Sequence, residues 1–353
     1  MKYILAALSL VIISFYGCGT TETKPEEDIT QAFVPTVDEV EESEPSDVEM
    51  SETEGIPEPE VDIEVEETDT EPVSVEEEII NIEWEIDPGI RYENASVPYA
   101  YRLDDGRIRL YHGGRNGISV AISEDGLVFE EEAVSLVQQG QPGDLNTIVS
   151  DPTVVMLEDG RVRMYYKGAD GSGGPGQAIH TVHSAISDDG VSFEYEGMVI
   201  DSRATPDRGW ASVPDAVMLP DGRVRLYYVS DGLDVGHGVV SAISEDGLNF
   251  TREGPVLTGY VDPSVVMLPD GRFMMLAVAF RTGPKESASS FRPGIYSFIS
   301  EDGIHFEKVG LALSGEDNID PAIVDMGDGY YRVYYWNFQD NPNLIRSFSG
   351  RIK

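Results

Sequence analysis

Asp151-Pro152-Thr153-Val154-Val155-Met156-Leu157-Glu158-Asp159-Gly160-Arg161 runs on into Val162-Arg163-Met164-Tyr165-Tyr166. Two apolar, β-branched and aromatic runs flank an Asp-Gly pair, which suits a two-residue hairpin turn that needs positive φ. The same phrase returns at Asp215–Tyr228, Asp262–Leu276 and Asp320–Tyr335, and an earlier version, Tyr99–Tyr111, has Tyr in the leading place. A second phrase, Ser-Ala-Ile-Ser-acid-Asp-Gly-x-x-Phe, alternates with it at Ala121–Phe129, Ser184–Phe193, Ser241–Phe250 and Ser297–Phe306. Each phrase predicts a hairpin, so each unit holds four strands, A to D. Units beginning at 99, 151, 215, 262 and 320 are separated by 52, 64, 47 and 58 residues. Four-stranded units of that length, repeated with Asp-Gly turns, are the blades of a β-propeller. The expected fold is all-β, with five blades.

The fifth unit has its A and B strands and a C strand at Arg346–Gly350, but no D strand follows. Ile82-Glu83-Trp84-Glu85-Ile86-Asp87-Pro88-Gly89-Ile90 has the look of a D strand and has no C strand before it. Giving residues 79–90 to the last blade closes the ring and leaves no free sheet edge. The domain division is therefore 1–18, 19–78 and a propeller over 79–353.

Hairpin parity puts the short A–B and C–D turns at one end of the ring. The variable D–A and B–C connections, among them 167–178, 230–238 and 281–293, lie at the other. Variable loops on a rigid scaffold are the usual place for binding chemistry. The leading Asp151, Asp215, Asp262 and Asp320 are expected to converge there with Tyr99 around a central funnel. Carboxylates brought together raise one another's pKa, a cost met mainly in acid–base chemistry or cation binding. The plainer reading of each is a cap on local backbone N–H groups. His112, Arg115, His183, His237, Arg281 and Arg292 fall on the same side, and Trp336 and Tyr99 offer rings for stacking on a sugar. A metal held by His and Asp is weighed against solvated loop histidines, and the latter are preferred. The glycines of 171–176 precede no helix, so a phosphate loop is not read there. No cofactor motif is found, and a structural calcium ion is the only ion the acidic composition suggests.

The Asp-Pro motifs Asp151-Pro152-Thr153, Asp262-Pro263-Ser264 and Asp320-Pro321-Ala322, set in five such units, resemble the five-bladed glycosidase superfamily of arabinanases, β-xylosidases, levansucrases and invertases. The resemblance covers roughly 79–353. It implies an Asp acting as base or nucleophile, a second Asp that positions and tunes, and a Glu as general acid, each on strand A of a different blade. Two carboxyl groups flanking the scissile bond are what glycoside hydrolysis requires. The five matching positions here read Tyr, Asp, Asp, Asp, Asp, with no Glu in register. Glu253-Gly254-Pro255 is similar to the family's acid motif but falls on strand D beside Glu196-Gly197, so Glu253 is read as structural. The acid would then be a ring Asp or a loop residue such as Glu286. The Ser-x-Asp-Gly-x-x-Phe turns also resemble the Asp-boxes of sialidases, where they stabilise turns away from the site. The function expected is thus binding, with or without hydrolysis, of a glycan by a monomeric propeller; a non-catalytic carbohydrate- or protein-binding scaffold and a sialidase-like hydrolase are the alternatives.

The 353 residues carry a formal charge of −41, from 65 acidic and 24 basic side chains. That excludes nucleic acid as a partner, because a polyanion repels a phosphate backbone. Residues 19–78 account for −23 of it, with 24 acids against Lys24 alone. So acidic and sparsely apolar a stretch cannot offset its ordering entropy and is expected to be a disordered tether. Ahead of it, Lys2 and the apolar run from Ile4 to Tyr16 have signal-peptide proportions. Phe15-Tyr16-Gly17-Cys18 resembles a bacterial lipobox, which implies lipidation of Cys18, the only cysteine, and a membrane-anchored cell-envelope protein. A single cysteine also excludes a disulfide framework.

Overall fold

The structure is a computed structural model that describes residues 82–352, apart from 115–116, 172–177, 205, 234–235 and 280–291. The tether, the signal segment and Cys18 therefore lie outside the described residues. Among the described residues every regular element is a strand. The first two, β1 (Ile82–Ile86) and β2 (Tyr92–Glu93), precede blade 1, which is β3 (Ser96–Arg102), β4 (Ile108–Gly114), β5 (Gly117–Ser123) and β6 (Glu130–Ala133). Blade 2 is β7 (Ile148–Met156), β8 (Val162–Ala169), β9 (His180–Ser187) and β10 (Glu194–Ile200). Blade 3 is β11 (Ala211–Met218), β12 (Val224–Leu233), β13 (Gly236–Ser244) and β14 (Thr251–Thr258). Blade 4 is β15 (Val261–Met267), β16 (Phe273–Ala279), β17 (Gly294–Ser300) and β18 (Glu307–Ser314). Blade 5 takes β19 (Asn318–Gly327), β20 (Tyr330–Asn337) and β21 (Leu344–Ile352), with β1 as its outer strand.

The closure agrees with the sequence. β1 pairs antiparallel with β21, Ile82 opposite Ile352 and Trp84 opposite Gly350. Trp84 packs edge-on against Phe348, with ring centroids 5.2 Å apart. Asp87 then accepts from Ser347 (2.6 Å) and Ser349 (2.7 Å), so a residue upstream of every blade is fixed to the last one.

The A–B turns are one residue longer than expected. In blade 2, Leu157 N–H bonds Arg161 O at 2.8 Å and Gly160 N–H bonds Leu157 O at 2.9 Å, leaving three residues in the loop. Gly160 alone takes positive φ, at 85°, and Asp159 accepts the Arg161 N–H at 3.1 Å. This is a type I turn followed by a left-handed glycine, the usual three-residue hairpin loop. Each turn arginine (Arg107, Arg161, Arg223, Arg272) pairs with the Asp two residues before it at the surface.

The seams between blades carry a second arginine. Arg109, Arg163, Arg225 and Arg332, on the second strands of blades 1, 2, 3 and 5, pair with Glu132, Glu196 and Glu253 on the outer strand of the same blade and with Asp87 just after β1. Each also donates to a carbonyl in the C–D turn of the next blade: Asp189, Asp246, Asp302 and Asp125. A buried tyrosine two positions on, Tyr111, Tyr165, Tyr227 or Tyr334, donates to the following glycine carbonyl at 2.8–2.9 Å. Glu253 thus supports a seam, in keeping with its reading as structural. Blade 4 has Met274 and Leu276 where the others have Arg and Tyr, both fully buried. It faces blade 5, whose outer strand arrives from β1 and which therefore has no C–D turn to receive a latch. That seam is filled by apolar packing of Met274, Leu276, Tyr331, Val333 and Phe348.

Candidate functional site

Each inner strand breaks its ladder at the same place. Pairing skips two residues between Ser96 and Tyr99, Ser150 and Thr153, Ser212 and Asp215, Val261 and Ser264, and Ile319 and Ala322. The skipped pairs are Val97-Pro98, Asp151-Pro152, Val213-Pro214, Asp262-Pro263 and Asp320-Pro321. Proline has no N–H to give a ladder, so within a sheet it belongs at an edge or a bulge. The residue before it takes the left-handed conformation in all five blades, with φ of 44°, 53°, 47°, 52° and 48°. Non-glycine residues, valine above all, resist that region. Strain of this kind, repeated around an axis, marks a functional centre more often than a passive one.

The bulges correct the register read from the sequence. The equivalent positions are Val97, Asp151, Val213, Asp262 and Asp320, so the ring holds three aspartates and two valines. Asp215 and Tyr99 stand two residues later, level with Thr153, Ser264 and Ala322. There they join blades and also line the axial cavity, as expected. Asp215 accepts from Thr153 Oγ1 of blade 2 (2.9 Å), from its own blade's Ala216 N–H (2.8 Å) and from Val265 N–H of blade 4 (2.6 Å). Ser264 accepts from Ile323 N–H of blade 5, and Tyr99 donates to Val154 O of blade 2. Burial pushes the Asp215 carboxyl up to about 7 against these donors.

The three ring aspartates are almost fully buried, at 4%, 5% and 8% exposure for Asp151, Asp262 and Asp320. Their environments differ because of one residue on the neighbouring strand. Opposite the residue that precedes each bulge lies Lys167 in blade 2, Val278 in blade 4 and Trp336 in blade 5. Lys167 forms an ion pair with Asp151, which also accepts from Ser150 Oγ at 2.6 Å. The Trp336 indole N–H donates to Asp320. Val278 offers Asp262 nothing. Burial and then the charges of Asp320 and Asp151 raise the Asp262 carboxyl well above the usual range. Burial and the Asp151 charge raise Asp320 as well, opposed by the indole. One carboxylate with a cation beside it and two neighbours pushed toward the protonated form are a divided acid–base set.

Lys167, His180 and Trp210 belong to this centre and escaped the sequence reading. His180 stacks on Trp210 with centroids 3.8 Å apart and lies 3.3 Å from Ser212 Oγ. Burial, then the nearby Lys167 charge, lowers it to about 3, so the imidazole is neutral. Lys167 had a signal: it is a lysine directly after the Tyr165-Tyr166 pair of a buried second strand, at 6% exposure. His237 sits on the far side of Trp210, 6.0 Å between centroids. His112 is buried against Tyr92 instead, 4.8 Å away, and His183 lies toward the outer edge of blade 2 against Tyr195. Arg292 is exposed before β17. Arg115, Arg281 and Glu286 lie outside the described residues. Among the described residues no group of three His, Cys, Asp or Glu is arranged to hold a metal ion. On the axis, between the five prolines, the open volume is about 20 Å³, room for about one water molecule. The expected funnel is therefore narrow at this level.

No protein-family model matches the chain, and no curated protein does. Solved structures do. A thermostable family-43 glycoside hydrolase superposes with a TM-score of 0.55 at 16% identity, over 76% of this chain and 91% of that one. The family-32 β-fructofuranosidase of Bombyx mori gives 0.55 at 15%, over 77% of this chain and 62% of the longer enzyme. An N-acetylgalactosamine deacetylase from F. plautii, solved with blood group B trisaccharide, gives 0.57 at 16%, over 76% and 95%. The fold is a five-bladed β-propeller with structural neighbours among glycoside hydrolases.

Proposed function

We propose that the propeller takes a glycan over the axial aspartates and hydrolyses a glycosidic bond there, with Asp262 as proton donor. The observation that carries this is the unequal treatment of three equivalent carboxyls. Asp262, protonated and without a partner on its own second strand, gives its proton to the leaving oxygen. Asp151, beside Lys167, presents negative charge to the carbon that becomes cationic. Water completes the bond and returns a proton to Asp262. Asp320, held by Trp336, raises Asp262 further. The general acid is then an aspartate, which accounts for the absence of a Glu in the ring. The superposed glycosidases support the reading through their fold. Aryl glycosides and plant or bacterial polysaccharides, screened with wild type, Asp262→Asn and Asp151→Asn, test it. Turnover lost in both variants is expected; turnover indifferent to both overturns it.

The water-sized axial volume favours a second reading, a non-catalytic glycan-binding propeller, for which the same screen gives binding without turnover. For location, we propose export and anchoring through Cys18, supported by the apolar run and the lone cysteine behind it. Labelled palmitate incorporated by wild type and not by Cys18→Ala is the expected outcome; an unprocessed, unlabelled chain refutes it.

A further inference from the structure

Blade 2 has a cavity that the axial chemistry does not use. The connection between β6 and β7 runs along the outer edge of this blade and borders an open pocket of about 470 Å³. That is within the range of small-ligand sites. We propose that this cavity binds one sugar unit of a neutral oligosaccharide, as a site separate from the axial aspartates.

The lining chemistry selects the ligand. Gln138, Gln139, Gln141 and Asn146 bring four side-chain amides, with Tyr195 and Met198 opposite. An amide both donates and accepts, as a sugar hydroxyl does, and neither group carries charge. Tyr195 is 54% exposed and Met198 is 37% exposed. Blades 1, 3 and 4 put Glu131, Arg252 and Lys308 where blade 2 puts Tyr195, and blade 5 puts Ile86, so the aromatic ring departs from the charged choice of three blades. An exposed ring serves a sugar by covering its C–H face.

The ring is held. His183 Nδ1 lies 3.0 Å from Tyr195 Oη, its Nε2 lies 2.9 Å from Thr181 Oγ1, and its other face stacks on Tyr166. Burial lowers His183 to about 4, so this support stays uncharged at neutral pH. The opposite wall is also set: Gly140 N–H bonds Asn146 O, and Gln141 N–H bonds Asp144 Oδ2 at 2.7 Å. A cavity ordered beforehand spends little of its binding energy on ordering. Asp144 is the one formal charge in the lining, and part of it is committed to Gln141, which disfavours an anionic glycan.

The proposal shares with the axial reading only the idea that the ligand is a glycan. It is tested by saturation-transfer NMR and calorimetry on the full chain with methyl α-L-arabinofuranoside, methyl β-D-galactopyranoside, methyl α-D-glucopyranoside and their neutral oligosaccharides. At least one is expected to bind wild type. Tyr195→Lys, which installs the residue blade 4 already carries there, and Gln141→Ala are each expected to weaken it by about tenfold or more, with Asp262→Asn without effect on that affinity. Turnover by wild type that Asp262→Asn abolishes and Tyr195→Lys leaves measurable keeps the two sites distinct. No binding by any probe, or binding that falls with Asp262→Asn and is untouched by Tyr195→Lys, overturns the proposal.

Discussion

Lys167 and Trp336 occupy the same place in two different blades, and each bonds the ring aspartate of its own blade. One position on the second strand therefore decides what its neighbouring carboxyl becomes. A cation gives a charge pair, an indole gives a neutral donor, and the valine of blade 4 gives neither.

Removing Lys167 leaves Asp151 buried without its counter-charge. Lys167→Met is expected to lower stability by about 3–5 kcal/mol, the usual loss when half of a buried pair is deleted. The double variant Lys167→Met/Asp151→Asn is expected to recover much of it. Asp262→Asn, which puts a neutral isostere where burial and two neighbouring aspartates already disfavour the charge, is expected to cost little at pH 7. Urea melts of wild type, Lys167→Met, the double variant, Asp151→Asn and Asp262→Asn check this, and equal losses for Asp151→Asn and Asp262→Asn contradict it.

Stability is expected to fall as pH rises from about 4 to 7. Burial raises the folded pKa of Asp215 from its ordinary carboxylate range to about 7, so over that window the folded state binds more protons than the unfolded one. The slope of unfolding free energy with pH is then negative, and Asp262 and Asp320 act in the same sense. Below about pH 4 the sign reverses, because turn residues such as Asp189, lowered to about 2 by backbone N–H donors, lose their stabilising charge as they protonate. Melting temperature should peak in mildly acidic buffer, and Asp215→Asn should flatten the upper limb. A monotonic rise from pH 4 to 8 is the opposing result.

The latches are expected to matter only where a turn receives them. Tyr227→Phe deletes a buried bond to Gly303 O and should cost about 1–2 kcal/mol. Leu276→Tyr, which restores the repeat's tyrosine in blade 4, should destabilise, since it adds a hydroxyl and bulk to a sealed apolar seam. Thermal melts of the two variants decide it; stabilisation by Leu276→Tyr would refute this account.

The outer strand of blade 5 should be indispensable. A chain beginning at residue 95 lacks β1 and Asp87, exposes the edge of β21 and uncovers Phe348. Size-exclusion chromatography is expected to show aggregation, against a monomer for a chain beginning at residue 79.

The blades and their closure were legible in the sequence because Asp-Gly turns and strand periods are local. The ring was legible only in part. Asp215 and Tyr99 do reach the axial cavity, but aligning the units on Asp gave them the bulge position, which Val213 and Val97 hold; Pro98, Pro152, Pro214, Pro263 and Pro321 mark that position in every unit. A bulge shifts register by residues that carry no ladder bond, and proline is the residue that tolerates that place. Lys167 and Trp210 were hidden for another reason. They act across strands and blades, and a repeat read along the chain shows no such neighbours.

Blade 5 joins the earliest strand of the propeller to the latest, Ile82 to Ile352. During synthesis β1 emerges first and stays without its partner while four blades' worth of chain follow. Loop closure over that separation is the slowest kind of contact to make. Until it forms, the partial ring is an open arc with two unpaired edges. The ring therefore closes only after the last blade has been made, whatever the order in which the other four form.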